Sequence, residues 1–139
     1  MMRCLSLTEP WATLMALQEK KIETRSWRLP LSILGQEVAI HAAKTFPGWA
    51  SKLSEEEPFC SSLRAKGNLF VPNLSRGKVL CILKFIGCRR TEDIRYRVDG
   101  KEYLFGDYSD GRFAWLTEFV RRIEPVPAVG HLGFWEWEP

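Results

Sequence analysis

Apolar and polar positions change period several times along the chain, and those changes mark the elements. Residues 2–8 read as a short strand. Thr8-Glu9-Pro10-Trp11 then opens a helix, with Thr8 as N-cap and Pro10 in the first turn, where a missing N–H is not needed. Trp11, Leu14, Met15 and Gln18 fall at helical spacing and carry that helix to about Glu19. Lys20 and Lys21 follow at its C-terminal end, where the helix dipole favours positive charge. Residues 21–27 alternate: Ile22, Thr24 and Ser26 face one way, and Glu23, Arg25 and Trp27 the other. An acid, a base and an aromatic on one strand face is an unusual set.

After Gly35-Gln36 a strand runs from Glu37 to Ala43, with Val38 and Ile40 opposite Ala39 and His41. Residues 47–64 read as helical, interrupted near Glu55-Glu56-Glu57-Pro58, and 65–77 as loop. Lys78 to Gly87 is the most apolar run and reads as a central, buried strand. Arg89 to Asp93 leads into a short helix or loop. Residues 99–112, rich in Gly, Asp and Tyr, read as a long surface loop. Phe113 to Ile123 resumes strand character, Pro125-x-Pro127 and Gly130 turn, and Leu132 to Trp137 closes with a strand. About six short strands with two or three helices favour an α+β fold, a small mixed β-barrel, over a doubly wound sheet.

Composition narrows the class. With 139 residues, 45% hydrophobic and 27% charged, the chain suits one globular domain over residues 1–139. No apolar run is long enough to span a bilayer and the N-terminus lacks a signal-peptide core, so a cytoplasmic protein with no membrane partner is expected. Cys4, Cys60, Cys81 and Cys88 are scattered with no Cys-x-x-Cys pair, and His41 and His131 are far apart. No metal site and no cofactor is expected, and Cys81 reads as a small core residue. No phosphate-binding Gly-x-x-x-x-Gly-Lys-Ser/Thr loop or Gly-x-Ser-x-Gly elbow occurs. The net charge of +3 permits a polyanionic partner without demanding one. Six tryptophans are the outlying figure: some must fill a core, and others can form a platform for flat ligands.

Three segments concentrate charged and aromatic side chains: Lys20–Trp27, Ile40–Lys44 and Phe105–Trp115. Leu5-Ser6-Leu7 with Pro10-Trp11-Ala12 resembles the opening of ASCH-domain proteins of the PUA-like superfamily. Gln18-Glu19-Lys20-Lys21-Ile22-Glu23-Thr24-Arg25 is similar to the family hallmark Gly-x-Lys-x-x-Glu-x-Arg, with Gln18 in place of the glycine. Val38–Lys44 resembles the strand that follows. Phe113-Ala114-Trp115 through Glu124–Pro127 to Gly133-Phe134-Trp135 resembles the end of bacterial and phage members. The resemblance implies a PUA-like/ASCH β-barrel with a cleft beside the first helix, lined by the hallmark residues, and RNA or nucleotide as ligand, with DNA as an alternative. Some members resemble small amidohydrolases acting on acylated cytidine, in which a motif Lys serves catalysis, and others are reported as nucleases. This chain keeps the Lys as Lys20 and carries Glu23 where the amidohydrolase branch has Thr.

Each candidate has a functional and a plainer reading. Lys20 is a phosphate contact or a catalytic base, or a solvated lysine at the helix end. Glu23 and Arg25 form a structural ion pair, or contact a base amino group and a phosphate. In an enzyme, Lys20 and Glu23 are the catalytic pair. Trp27 is the candidate stacking platform, Trp11 a packing anchor, and Trp115 and Trp135 core. His41 is either a satisfied structural histidine or, with Lys44, part of the ligand site. The Gly-flanked loop that holds Asp107, Tyr108, Ser109 and Arg112 either only turns the chain or closes over the cleft, with Tyr108 or Arg112 touching ligand. A protein partner is left unread.

Overall fold

The computed structural model describes residues 1–67 and 73–139; part of the loop expected over 65–77 therefore lies outside the described residues. Among the described residues six strands form one mixed sheet: β1 (Met2–Leu7), β2 (Ile22–Arg25), β3 (Glu37–Ala42), β4 (Lys78–Arg90), β5 (Phe113–Pro127) and β6 (Phe134–Trp137), in the order β2-β5-β4-β3-β1-β6. β1 and β3 are parallel and the other pairs antiparallel. The α+β class and strand count are those expected. The sheet is not closed, and β2 and β6 are its two edges.

Register shifts interrupt the ladder between the long strands β4 and β5 at three places, a feature that bends and twists strands. β5 continues through Pro125 and Pro127, where a turn was expected. Prolines are tolerated there because β5 pairs with β2 only as far as Leu116, leaving its other edge free beyond that point.

The sheet is buried on both faces at its centre. One cluster packs Leu5, Val38, Ile40, Leu83, Phe85 and Trp115 beneath the first helix. The other packs Cys4, Ala39, Val79, Ile82, Trp135 and Trp137. Trp115 is fully buried and meets Phe85 edge-on at 5.5 Å and Phe134 stacked at 5.7 Å. The core roles read for Trp115, Trp135 and Cys81 therefore hold.

Five helices occur among the described residues: α1 (Trp11–Ala16), α2 (Gly48–Ser54), α3 (Phe59–Gly67), α4 (Thr91–Ile94) and α5 (Gly100–Phe105). Two or three were expected. The helical stretch over 47–64 is interrupted at 55–58 as expected, giving α2 and α3, and α5 replaces half of the expected surface loop. Asp99 caps α5 by accepting from the Glu102 amide at 2.9 Å. Leu14, Phe59, Leu63 and Phe105 bind α1, α3 and α5 into a small helical layer.

The ends of α1 differ from the sequence reading. Thr8 gives no side-chain cap; Glu9 does the work instead, its carboxylate accepting from the Thr13 amide at 2.8 Å and the Thr13 hydroxyl at 2.5 Å. The helix stops at Ala16 rather than Glu19, because Gln18 turns to φ 60°. The Glu19 amide then donates to the Leu14 carbonyl at 3.0 Å and the Gln18 amide to that of Met15 at 3.1 Å. This is a Schellman ending, built on a glutamine where glycine is usual. Left-handed backbone strains a residue with a Cβ, and the Gln18 side chain is exposed. Gln18→Gly is expected to raise stability by about 1 kcal/mol in urea titration. A loss of stability would contradict this account of the turn.

Candidate functional site

The reversal at Gln18 aims Lys20 inward. Lys20 is 2% exposed, its Nζ donates to the Ile22 carbonyl, and it lies 3.8 Å from Glu23 Oε1. It is not the solvated lysine of a helix end. Burial pulls its ammonium below the usual lysine range, while the charges of Glu23 and Glu102 oppose that shift and Arg25 adds to it. Glu23 Oε2 accepts from Arg25 Nε at 2.8 Å, so the pair two apart on β2 is a real ion pair. Arg25 places its guanidinium 5.3 Å from the Trp27 ring centroid and 5.8 Å from that of Trp115.

The strand ends at Arg25, so Trp27 reaches the site from a bend rather than as the third residue of a strand face. The Trp115 indole N–H donates to the Trp27 carbonyl at 3.1 Å and pins that bend. Trp27 itself is 49% exposed. It borders a cleft of about 720 Å³ between β2 and the helical layer. Lys20, Glu23, Arg25, Trp27 and Arg112 all line this cleft, together with Thr24, Trp11, Trp49 and Asp107.

Arg112 enters from the far side of the α5–β5 connection. Its Nη2 donates to the Thr24 carbonyl at 3.3 Å, and its Nε lies 3.4 Å from Asp107 Oδ2. The Asp107 amide in turn donates to the Thr24 hydroxyl at 3.0 Å. A Cβ on Gly106 would come within 2.8 Å of the Tyr108 ring and 3.1 Å of Thr24, so glycine is what lets this connection lie against β2.

Three expected site residues sit elsewhere. Tyr108 is 3% exposed and stacks on Tyr103 at 5.3 Å, beneath the cleft wall rather than in it. Its hydroxyl makes no hydrogen bond among the described residues, and burial together with the negative charge of Glu102 pushes its pKa up. His41 is buried: its Nε2 donates to the Ala128 carbonyl at 2.8 Å, which leaves Nδ1 to accept from the Ser6 hydroxyl at 2.8 Å. Burial lowers its pKa and favours this neutral ring. His41 and Lys44 border a second hollow, on the other side of Ser6 from the cleft.

The sequence reading missed two residues. Glu102, 6% exposed, accepts from the Lys21 amide at 2.7 Å, and its pKa is raised by burial against the pull of Lys20. Asp99-x-x-Glu102 has the spacing of a capping box, a signal that would have revealed α5. Trp49 on α2 is 63% exposed and lies 5.9 Å from Trp11, giving the cleft a second accessible indole. Among the described residues no group of three or more His, Cys, Asp or Glu is placed to hold a metal ion, and no helix is long and apolar enough to cross a membrane.

A coiled six-stranded mixed sheet with a helical layer, and a cleft where the α1–β2 turn meets that layer, define an ASCH-like fold. The solved structures bear this out. The chain is similar to the crystal structure of ASCH from Zymomonas mobilis, with a TM-score of 0.51 and 17% identity over 90% of this chain and 72% of that one. Variants of that protein with a Tyr-to-Phe or a Ser-to-Ala substitution match alike, at TM-scores of 0.51 and 0.50 and identities of 16% and 17% over 90% of this chain. No family model and no curated protein matches the sequence.

Proposed function

We propose that this chain binds RNA by taking one nucleotide, or a free modified nucleotide, into the cleft beside α1. The observation that carries the reading is Trp27: half-exposed, pinned at its carbonyl, with the Arg25 guanidinium against its ring. An indole fixed in this way is a stacking surface for a base, and Trp49 offers a second across the same cleft. The volume of about 720 Å³ suits one nucleotide rather than a strand. The cleft's cations face acids: Glu23 lies against Lys20 and Arg25, and Asp107 against Arg112. Its polar side chains thus offer a hydrogen-bonding pattern for a base edge rather than a net charge. The reading treats residues 1–139 as one domain acting in the cytoplasm on RNA.

The test is quenching of tryptophan fluorescence by nucleosides, nucleotides and short RNA and DNA strands. Trp27→Ala is expected to weaken binding about 10–100-fold, the loss of roughly 1–3 kcal/mol of stacking. Unchanged affinity in that variant would remove Trp27 from the ligand site. No quenching by any of these ligands at low salt would end the binding reading.

One observation favours a second reading, hydrolysis of an acyl group on a nucleobase. Lys20 is buried, lowered in basicity and 3.8 Å from a carboxylate. In its neutral form such an amine can take a proton from water as that water attacks an amide carbon, with Glu23 passing the proton to the leaving amine. Mass detection of deacylated product from acylated cytidines tests it, and turnover unaffected by Lys20→Ala would exclude Lys20 as the base.

A further inference from the structure

The second hollow, of about 900 Å³, differs from the cleft in its charge. It forms where the C-terminal end of β3, the N-terminal end of β4 and the C-terminal end of β5 meet. Lys78 pairs with both Ala42 and Pro127, the Gly77 amide donates to the Ala42 carbonyl at 2.7 Å, and the Ala128 amide donates to the Gly77 carbonyl at 3.0 Å. Among the described residues, Lys44, Arg76 and Lys78 line it, and no Asp or Glu does. Among the described ion pairs, none involves these three cations. Arg76 lies 5.9 Å over the Phe46 ring. In the cleft, by contrast, each cation faces an acid.

The wall of the hollow is built firmly. His41, neutral and hydrogen-bonded at both nitrogens, ties β1 to the chain after β5. Gly130 approaches so closely that a Cβ there would fall 2.7 Å from the His41 ring and 2.8 Å from the Ser6 hydroxyl. His41 therefore shapes this site, while Lys44 supplies charge to it. Ser6 borders both the hollow and the cleft, so the two adjoin.

We propose that the hollow formed by Lys44, Arg76 and Lys78 holds the backbone phosphates of an RNA strand whose neighbouring nucleotide occupies the cleft. This rests on the nucleotide reading of the cleft for its geometry, but its own basis is the unopposed positive charge. Uncompensated cations on a fixed wall favour a polyanion and release its counterions on binding. The cleft then discriminates the base and the hollow supplies affinity that is indifferent to sequence.

The experiment compares the wild-type chain with a triple variant, Lys44→Gln, Arg76→Gln and Lys78→Gln. Native tryptophan emission checks that the variant is folded. A single-stranded RNA of about ten nucleotides and a mononucleoside are the two probes, across a salt series. Three lost phosphate contacts are expected to flatten the dependence of log affinity on log salt by about 2 and to weaken RNA binding tenfold or more at roughly 100 mM salt. Mononucleoside affinity is expected to stay unchanged. An unchanged salt slope overturns the hollow as a phosphate site and leaves the cleft reading standing. Absence of RNA binding by the wild-type chain at roughly 50 mM salt overturns it too. RNA binding that needs the three cations, with no nucleoside binding, keeps the hollow and removes the cleft. A glutamate homopeptide that displaces the RNA as well as an RNA competitor of equal charge overturns RNA as the occupant.

Discussion

Lys20→Ala is expected to destabilise the fold by about 3 kcal/mol at neutral pH, read from urea unfolding. The cost comes from what remains. Glu23 and Glu102 are 9% and 6% exposed, and Lys20 is the cation that faces both. Removing one partner from a buried charge cluster typically costs about 3–5 kcal/mol. The lower end applies because Glu23 keeps Arg25 and Glu102 keeps the Lys21 amide. Burial already raises the pKa of Glu102, and without Lys20 it rises further. The unfolded carboxyl ionises more readily, so the deficit of the variant is expected to shrink as pH falls and Glu102 takes up a proton. A cost below about 1 kcal/mol would mean that the two acids do not depend on Lys20.

Glu9→Gln is expected to act in the opposite direction. Glu9 is fully buried, and burial raises its pKa from the ordinary 4.5 to about 7. Below the lower value both folded and unfolded states hold the proton, so the residue contributes no pH dependence. Between the two values the folded state keeps a proton that the unfolded state has released, and stability falls as pH rises. Above about 7 the whole penalty is present, about 3 kcal/mol. Glutamine keeps an oxygen to accept from the Thr13 amide and puts an N–H where the carboxylate accepted the Thr13 hydroxyl, whose oxygen can accept it. The variant is therefore expected to match the wild type near pH 4 and exceed it by about 3 kcal/mol near pH 8. Equal stabilities at both pH values would show that the Glu9 carboxylate is not held in a dry site.

The sheet was legible in the sequence because its signal is local. The alternation of residues 37–43 and the apolar run from Lys78 name two of its strands without reference to partners. The helical layer was less so. Residues 99–112 look loop-like by composition, yet Asp99 caps a turn that buries Glu102 and Phe105. The end of α1 was misplaced because a residue other than glycine takes the left-handed position. Pro125 and Pro127 stay in β5 because only a free strand edge tolerates them, and edges are a property of the whole sheet.

The cleft was readable where its residues share one strand or motif: Lys20, Glu23, Arg25 and Trp27 meet there, and Arg112 joins them across the loop. What failed to show were contacts across long sequence separations. Glu102 reaches the Lys21 amide over 81 residues, and His41 reaches Ala128 over 87. Nothing local in the chain announces either. The same holds for Trp49, whose position beside Trp11 depends on how α2 docks. Of the six tryptophans, Trp115, Trp135 and Trp137 are buried in the two faces of the sheet, Trp11 is half-buried, and Trp27 and Trp49 stand open to the cleft.

That division makes the most direct test of the cleft as a nucleobase site. Each of the six indole N–H groups gives its own signal in a nitrogen–proton correlation spectrum of labelled protein. On titration with a nucleoside, the signals of Trp27 and Trp49 are expected to move together and saturably, while those of Trp135 and Trp137 stay in place. Movement confined to Trp135 and Trp137, or no movement of Trp27 at saturating nucleoside, would contradict the account.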